Sequence, residues 1–149
     1  MLIKLGKKQS HVCKAGKRFA RGHFQINTGG VNQLLATRIA AAMGFLAVAL
    51  GAFGAHGLKE LFAQNGMAGV WEKAVFYHFI HAVMLFVLAE RKPLPAVAWW
   101  SFLTGILFFS GSLYLLAVTN VLWLGAVTPV GGVGLLFGWG WLAFKSARG

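Results

Sequence analysis

The chain has 149 residues, of which 58% are hydrophobic and only 11% are charged, and its formal net charge is +11. A soluble domain carries about 25% charged residues, so this composition excludes an ordinary water-soluble domain and indicates a lipid environment. The length is enough for one domain.

Residues 1–36 are basic, broken by glycines and free of acidic side chains. Because they show no helical or strand period, we predict a disordered basic tail. Its basic side chains would contact anionic lipid headgroups, at about 1 kcal/mol per residue. Most aromatic residues lie in the apolar segments that follow, so no nucleic-acid partner is expected. The single cysteine, Cys13, excludes an intrachain disulfide.

The first two membrane spans are predicted over residues 37–58 and 70–90. Ile39 to Leu58 is 20 residues without Lys, Arg, Asp or Glu, about 30 Å of helix and the thickness of the hydrocarbon core. Residues 59–66 then predict a polar loop. The second span starts near Trp71, a residue type typical of the membrane interface.

Residues 93–144 contain no charged side chain over 52 positions, which is long enough for two spans. The polar pair Thr119–Asn120 divides them, so we predict helices over 94–118 and 122–145. Pro129 cannot donate a backbone hydrogen bond, so the last helix either kinks there or begins there. In the second case Thr128 caps the helix and residues 122–127 form an interfacial turn.

The predicted fold class is therefore all-α, a polytopic four-helix transmembrane bundle over residues 37–145. Twelve of the fourteen Lys and Arg residues lie on the side of the two termini, and only Lys59 and Lys73 lie on the other. The positive-inside rule then predicts that both termini are cytoplasmic.

Glycines in the first and last helices predict close helix packing. Small residues let helix backbones approach each other in lipid, where hydrophobic burial does not drive association. The predicted packing positions are Gly51, Gly54, Gly131, Gly134 and Gly138.

Polar residues from all four helices fall in the same half of the bilayer. This candidate polar cluster consists of His56, His78, His81, Ser110, Ser112, Tyr114 and Thr128. Such residues serve as interhelical hydrogen-bonding groups or form a ligand or ion site. His81 could also transfer protons, because histidine titrates near neutral pH.

A metal or haem site built on the three histidines is a weaker hypothesis. Four-helix bundles do place such ligands on facing helices, but no carboxylate or cysteine lies at the same depth here. We therefore predict no metal, no cofactor and no catalytic residue. Paired carboxylates for acid–base chemistry are absent, since all three glutamates lie at predicted helix ends.

Several strings in this sequence resemble one family of small membrane proteins. They are residues 43–58, 71–82, 107–115, 128–132 and 138–139, and they occur in the family's order. The family is the uncharacterised domain of unknown function 423, with transmembrane protein 256 as its eukaryotic relative. The resemblance implies a four-span protein of the bacterial inner (plasma) membrane, with no known reaction, substrate or cofactor. Family members begin near Thr37, so residues 1–36 are interpreted as an extension or a misassigned start.

The functional hypothesis is a non-enzymatic structural or partner-binding membrane protein. Its expected partners are the lipid bilayer and either another membrane protein or further copies of itself. Two alternatives stay open: a small transporter or ion pathway lined by the polar cluster, and a haem- or metal-binding membrane protein.

Overall fold

The computed structural model describes residues 32–146, which contain helices and no strand. The elements are α1 (Gln33–His56), α2 (Lys59–Asn65), α3 (Ala68–Ala89), α4 (Ala96–Thr119), a 3-10 helix (Leu122–Ala126) and α5 (Thr128–Ser146). Four segments are long and apolar enough to cross a membrane: α1, α3, α4 and Leu122–Lys145. The all-α, four-span prediction is confirmed. Most of the predicted tail, residues 1–31, lies outside the described residues.

Helix α1 begins earlier than the predicted position 37. The Asn32 side chain accepts a hydrogen bond from the Leu34 backbone N–H at 3.1 Å and so caps the helix. Gln33 donates to the Ala89 carbonyl at 2.8 Å, and the Thr37 hydroxyl, which donates to the Gln33 carbonyl at 3.1 Å, lies 3.3 Å from the Glu90 carboxylate. These bonds join the start of α1 to the end of α3, and residues 33–36 belong to the membrane domain.

The predicted polar loop at 59–66 is a short helix, α2, which ends at Gly66 with a left-handed φ of 69°. It forms because Phe62 is buried against Trp71, with ring centroids 5.6 Å apart, while Lys59, Glu60 and Gln64 are exposed. Asn65 donates to the Ala117 carbonyl of α4 at 2.9 Å and accepts from the Met67 backbone N–H at 3.0 Å. This side chain ties the turn between α2 and α3 to the end of α4.

The last span does not start at residue 122 as a continuous α-helix. Helix α4 ends at Asn120, with a left-handed φ of 56°, and the 3-10 helix follows. Helix α5 begins at Thr128 and has Pro129 in its first turn, where a missing N–H breaks no helical bond. Of the two arrangements that Pro129 allows, the structure adopts the one in which the helix begins there.

The helices pack in the order α1, α3, α4 and α5, so that α4 lies between α3 and α5. The largest fully buried apolar side chains come from α3 and α4: Leu85, Leu88, Trp99, Phe102 and Ile106. Large apolar side chains are exposed on α1 and α5, including Phe45 at 77% and Phe144 at 76%. A soluble monomer rarely exposes extended apolar surface, whereas lipid covers it in a membrane.

The five glycines predicted to pack lie against neighbouring helices. An added Cβ at Gly131 would overlap the backbone of α4 at Phe109, and one at Gly134 would lie 3.4 Å from the Gly105 Cα. At Gly138 it would lie 2.7 Å from the Phe102 ring, and at Gly51 it would lie 3.3 Å from Val75. An added Cβ would therefore overlap a neighbouring helix at Gly131 and Gly138, whereas it would meet a tight contact at Gly51 and an ordinary one at Gly134.

Trp71, in the first turn of α3, packs inside the bundle. It is 5% exposed, its ring lies directly over Gly54, and its indole N–H donates to the Leu50 carbonyl of α1 at 3.1 Å. Gly54 is the small residue that makes this insertion possible, so the α1–α3 contact depends on the pair.

Candidate functional site: the buried polar residues

The structure divides the predicted polar cluster into separate groups. His81 bonds to α5, His78 bonds to Tyr114 of α4, and Ser112 bonds to Thr128. Ser110 is 1% exposed and its hydroxyl has no hydrogen-bond partner within the described residues.

His56 does not join the other members of the cluster. It is the last residue of α1, and its side chain is exposed. Over residues 32–146, no group of three or more His, Cys, Asp or Glu side chains is arranged to hold a metal ion. The three histidines proposed as ligands in the weaker hypothesis are therefore not brought together.

His81 of α3 is 5% exposed and uses both ring nitrogens. Its Nε2 accepts the indole N–H of Trp139 at 3.2 Å, and its Nδ1 lies 2.8 Å from the Tyr77 carbonyl oxygen. An indole nitrogen can only donate and a carbonyl can only accept. His81 is therefore the neutral tautomer with its proton on Nδ1, which donates to Tyr77.

Three helices meet at His81. The Phe102 ring of α4 lies 5.5 Å from the His81 ring and 5.3 Å from the Trp139 ring, between centroids. Gly138 gives Phe102 the space to lie there. The polar cluster predicted from the sequence did not include Trp139. A buried indole usually finds an acceptor for its N–H, but Trp99 of α4 is buried without one, so the presence of an indole in an apolar helix did not single out Trp139.

The second group joins α3 to α4. His78 Nδ1 lies 3.3 Å from the Tyr114 hydroxyl, and Tyr114 packs against Trp71 with ring centroids 4.7 Å apart. His78 is 2% exposed, and its Nε2 has no hydrogen-bond partner within the described residues. This group thus leaves one buried polar atom unused.

The third group joins the start of α5 to α4. The Ser112 hydroxyl donates to the Phe109 carbonyl at 3.0 Å, and it lies 2.9 Å from the Thr128 hydroxyl. Since Ser112 has one proton, which Phe109 receives, Thr128 donates to Ser112. The residue that sequence reasoning proposed as a helix cap thus bonds to a neighbouring helix.

Two of the cavities formed by the described residues lie on the surface of the bundle. One is a groove of about 770 Å³ between α1, α2 and α3, and the other is a depression of about 410 Å³ beside α4 and the 3-10 helix. Ser112 and Tyr114 line the second, whereas His78 and His81 line neither. The two buried histidines therefore face other side chains and not these cavities.

Four apolar helices joined by short turns and by buried polar pairs define a polytopic α-helical membrane protein. The chain belongs to the family described as protein of unknown function DUF423, whose model matches residues 50–132.

Curated relatives support this membership. A UPF0382 membrane protein of Staphylococcus epidermidis is 43% identical over 105 residues, which cover 68% of this chain and 85% of the relative. The UPF0382 membrane protein YwdK of Bacillus subtilis is 44% identical over 107 residues, covering 68% and 86%. No solved structure matches the chain. The protein is thus a small integral membrane protein of a family without an assigned reaction.

Proposed function

We propose that the protein is a non-enzymatic membrane bundle that binds another membrane component, and that its buried polar side chains hold the helices together. The observation that carries this proposal is the pair of hydrogen bonds at His81. A metal site needs a ring nitrogen with a free lone pair, and a proton relay needs partners that can both accept and release a proton, which an indole N–H and a carbonyl oxygen cannot do. At His81, Trp139 and Tyr77 occupy both nitrogens.

The size of such a bond is modest, which fits a structural role. Hydrogen bonds between membrane helices contribute about 0.6 kcal/mol on average and about 1.7 kcal/mol at most. Three side-chain hydrogen bonds of the polar cluster join different pairs of helices. The bond between His81 and Trp139 links α3 to α5, the bond of His78 links α3 to α4, and the bond of Ser112 links α4 to α5. Together they specify which faces of the helices meet.

The test is a double-mutant cycle on His81→Ala and Trp139→Phe. We expect a coupling free energy of roughly 0.5 to 1.7 kcal/mol between the two positions. It would be measured from the unfolding of the purified protein in lipid–detergent micelles. As a control, His81→Ala combined with Trp141→Phe should show no coupling, because Trp141 packs against Phe137 instead. Zero coupling between His81 and Trp139 would remove the structural role.

A pathway for protons or ions is the second candidate. It is favoured by His78 Nε2 and Ser110 Oγ, two of the three buried side-chain polar atoms that have no hydrogen-bond partner within the described residues; the third is Trp99 Nε1. Buried polar atoms without partners are rare in native structures and ask for an explanation such as a bound water. Protein reconstituted in liposomes distinguishes the candidates. The structural proposal predicts no proton or ion flux between about pH 5 and 8, where histidine titrates. Flux that His78→Phe abolishes would favour the pathway.

The proposed location is the bacterial plasma membrane, with both termini in the cytoplasm. Among the described residues, Arg38, Arg91, Lys92 and Lys145 lie at the end of the bundle where α1 begins, and Lys59 and Lys73 lie at the other. An excess of basic residues is characteristic of the cytoplasmic side. The basic residues on this side would also meet anionic headgroups, and a further membrane protein or a second copy of the chain are the other proposed partners.

A further inference from the structure

The groove between α1, α2 and α3 is apolar along most of its length. Small residues of α1, including Ala47, Gly51 and Ala55, form one wall. Phe76 and Phe79 of α3 line the other wall and are 60% and 45% exposed. Its volume of about 770 Å³ lies within the range of about 300 to 1,000 Å³ that is typical of small-molecule sites.

The length of the groove corresponds to one leaflet. On α3 the lining residues run from Ala68 to Phe79, about 16 Å of helix, and on α1 they run from Ala47 to Ala55, about 12 Å. Half of a hydrocarbon core of about 30 Å is about 15 Å. The groove therefore extends from one membrane surface towards the midplane, as a lipid acyl chain does.

Two charged residues, Lys59 and Glu72, line the groove, and both lie at its surface end. Both side chains are exposed. A cation and an anion at the same end match a headgroup that contains a phosphate and a primary ammonium group, with the phosphate near Lys59 and the ammonium near Glu72. A purely anionic headgroup would satisfy Lys59 but would be repelled by Glu72.

We infer that this groove binds a phospholipid with a phosphate and an ammonium group in its headgroup, in the leaflet away from the start of α1. A second copy of the chain is a poorer occupant, because a symmetric dimer would place two concave walls face to face. The chain before Asn32 is also poorly placed. It joins α1 at the opposite end, about 22 Å along the helix from Ala47, the lining residue of α1 nearest to it.

This inference deepens the proposed binding role by naming the class of partner. The double-mutant cycle on His81 and Trp139 measures the free energy of unfolding of the protein. The lipid experiment measures instead how much phospholipid stays bound to it. Failure of one experiment therefore leaves the other result unaffected.

The experiment is native mass spectrometry of the full chain after extraction from vesicles of equal phosphatidylethanolamine and phosphatidylglycerol with identical acyl chains. The protein should retain phosphatidylethanolamine over phosphatidylglycerol by about two- to fivefold, as expected for exposed charge pairs. Glu72→Gln should bring this ratio to about one. Lys59→Gln should lower retention of both lipids. Lys73 and Glu60 are neighbours that do not line the groove. The substitutions Lys73→Gln and Glu60→Gln should therefore leave the ratio unchanged.

A second pair of variants tests the groove itself. Ala55→Phe fills it and should remove the retained lipid, whereas Ala52→Phe on the same helix lies outside it and should not. Equal retention of the two lipids by the unmodified protein would overturn the inference. Equal loss of bound lipid in the control variants would also overturn it. So would a lipid-free dimer that Ala55→Phe converts to a monomer, because a second copy of the chain would then occupy the groove.

Discussion

Gly131→Ala should destabilise the bundle by about 3 kcal/mol, the upper end of the usual effect of overpacking a core. The new Cβ would overlap the Phe109 backbone nitrogen and lie 2.7 Å from the Phe108 carbonyl carbon. Backbone atoms cannot rotate away as a side chain can, so α4 and α5 must move apart. The measurement is the free energy of unfolding of the purified protein in lipid–detergent micelles.

The matched control is Gly140→Ala, nine residues further along α5, where an added Cβ meets no atom within 4 Å. Alanine forms helix better than glycine by up to about 1 kcal/mol, so this change should be neutral or slightly stabilising. Similar effects of the two substitutions would show that Gly131 does not set the distance between α4 and α5.

Gly54→Ala should destabilise the protein by about 2 to 3 kcal/mol through its effect on Trp71. The Cβ would overlap the indole ring, which must then leave its position and lose the hydrogen bond to the Leu50 carbonyl. It would also lose its contacts with Phe62 and Tyr114. Gly44→Ala on the same helix meets no atom and serves as the control in the same unfolding measurement.

A compensating change separates this explanation from a general defect of α1. Trp71→Phe removes the atoms nearest to the new Cβ, so it should recover part of the stability that Gly54→Ala loses. If the two substitutions instead act additively, the ring over Gly54 is not the reason for the loss.

The membrane spans were predictable because lipid imposes a strict requirement on sequence. A span needs about 20 residues with very few charges, and the 52 uncharged residues before Lys145 fit two spans. The helix ends were less predictable, because they depend on contacts distant in sequence. Gln33 extends α1 by bonding to Ala89, and Phe62 turns a polar loop into a helix by packing on Trp71.

The candidate site was predicted only in part, because a sequence gives the depth of a residue in the membrane more readily than its direction around the helix. His56 and His78 were both placed in the same half of the bilayer, yet His56 is exposed and His78 is buried. The residue type of Trp71 suggested a depth near the interface, but it did not show that the ring packs inside the bundle over Gly54. Which side chains lie opposite each other on neighbouring helices is known only once the packing of the helices is known.

A four-span bundle requires the turn between α1 and α3 and the turn between α4 and α5 to lie on the same side of the membrane. It places α2 and the 3-10 helix at the same end of the bundle, and it places the charged end of the groove at the membrane surface there. Asn65 supports this arrangement, since it bonds from the end of α2 to the end of α4.

Cysteine labelling tests this arrangement most directly. In a Cys13→Ser background, single Gln64→Cys, Leu122→Cys and Lys92→Cys variants would react with a membrane-impermeant maleimide on intact cells. Gln64 and Leu122 are exposed on the two turns opposite the termini, and Lys92 is exposed between α3 and α4. We expect Gln64→Cys and Leu122→Cys to be labelled from outside and Lys92→Cys to be labelled only after the membrane is opened. Labelling of Gln64→Cys and Leu122→Cys from opposite sides would contradict the four-span bundle.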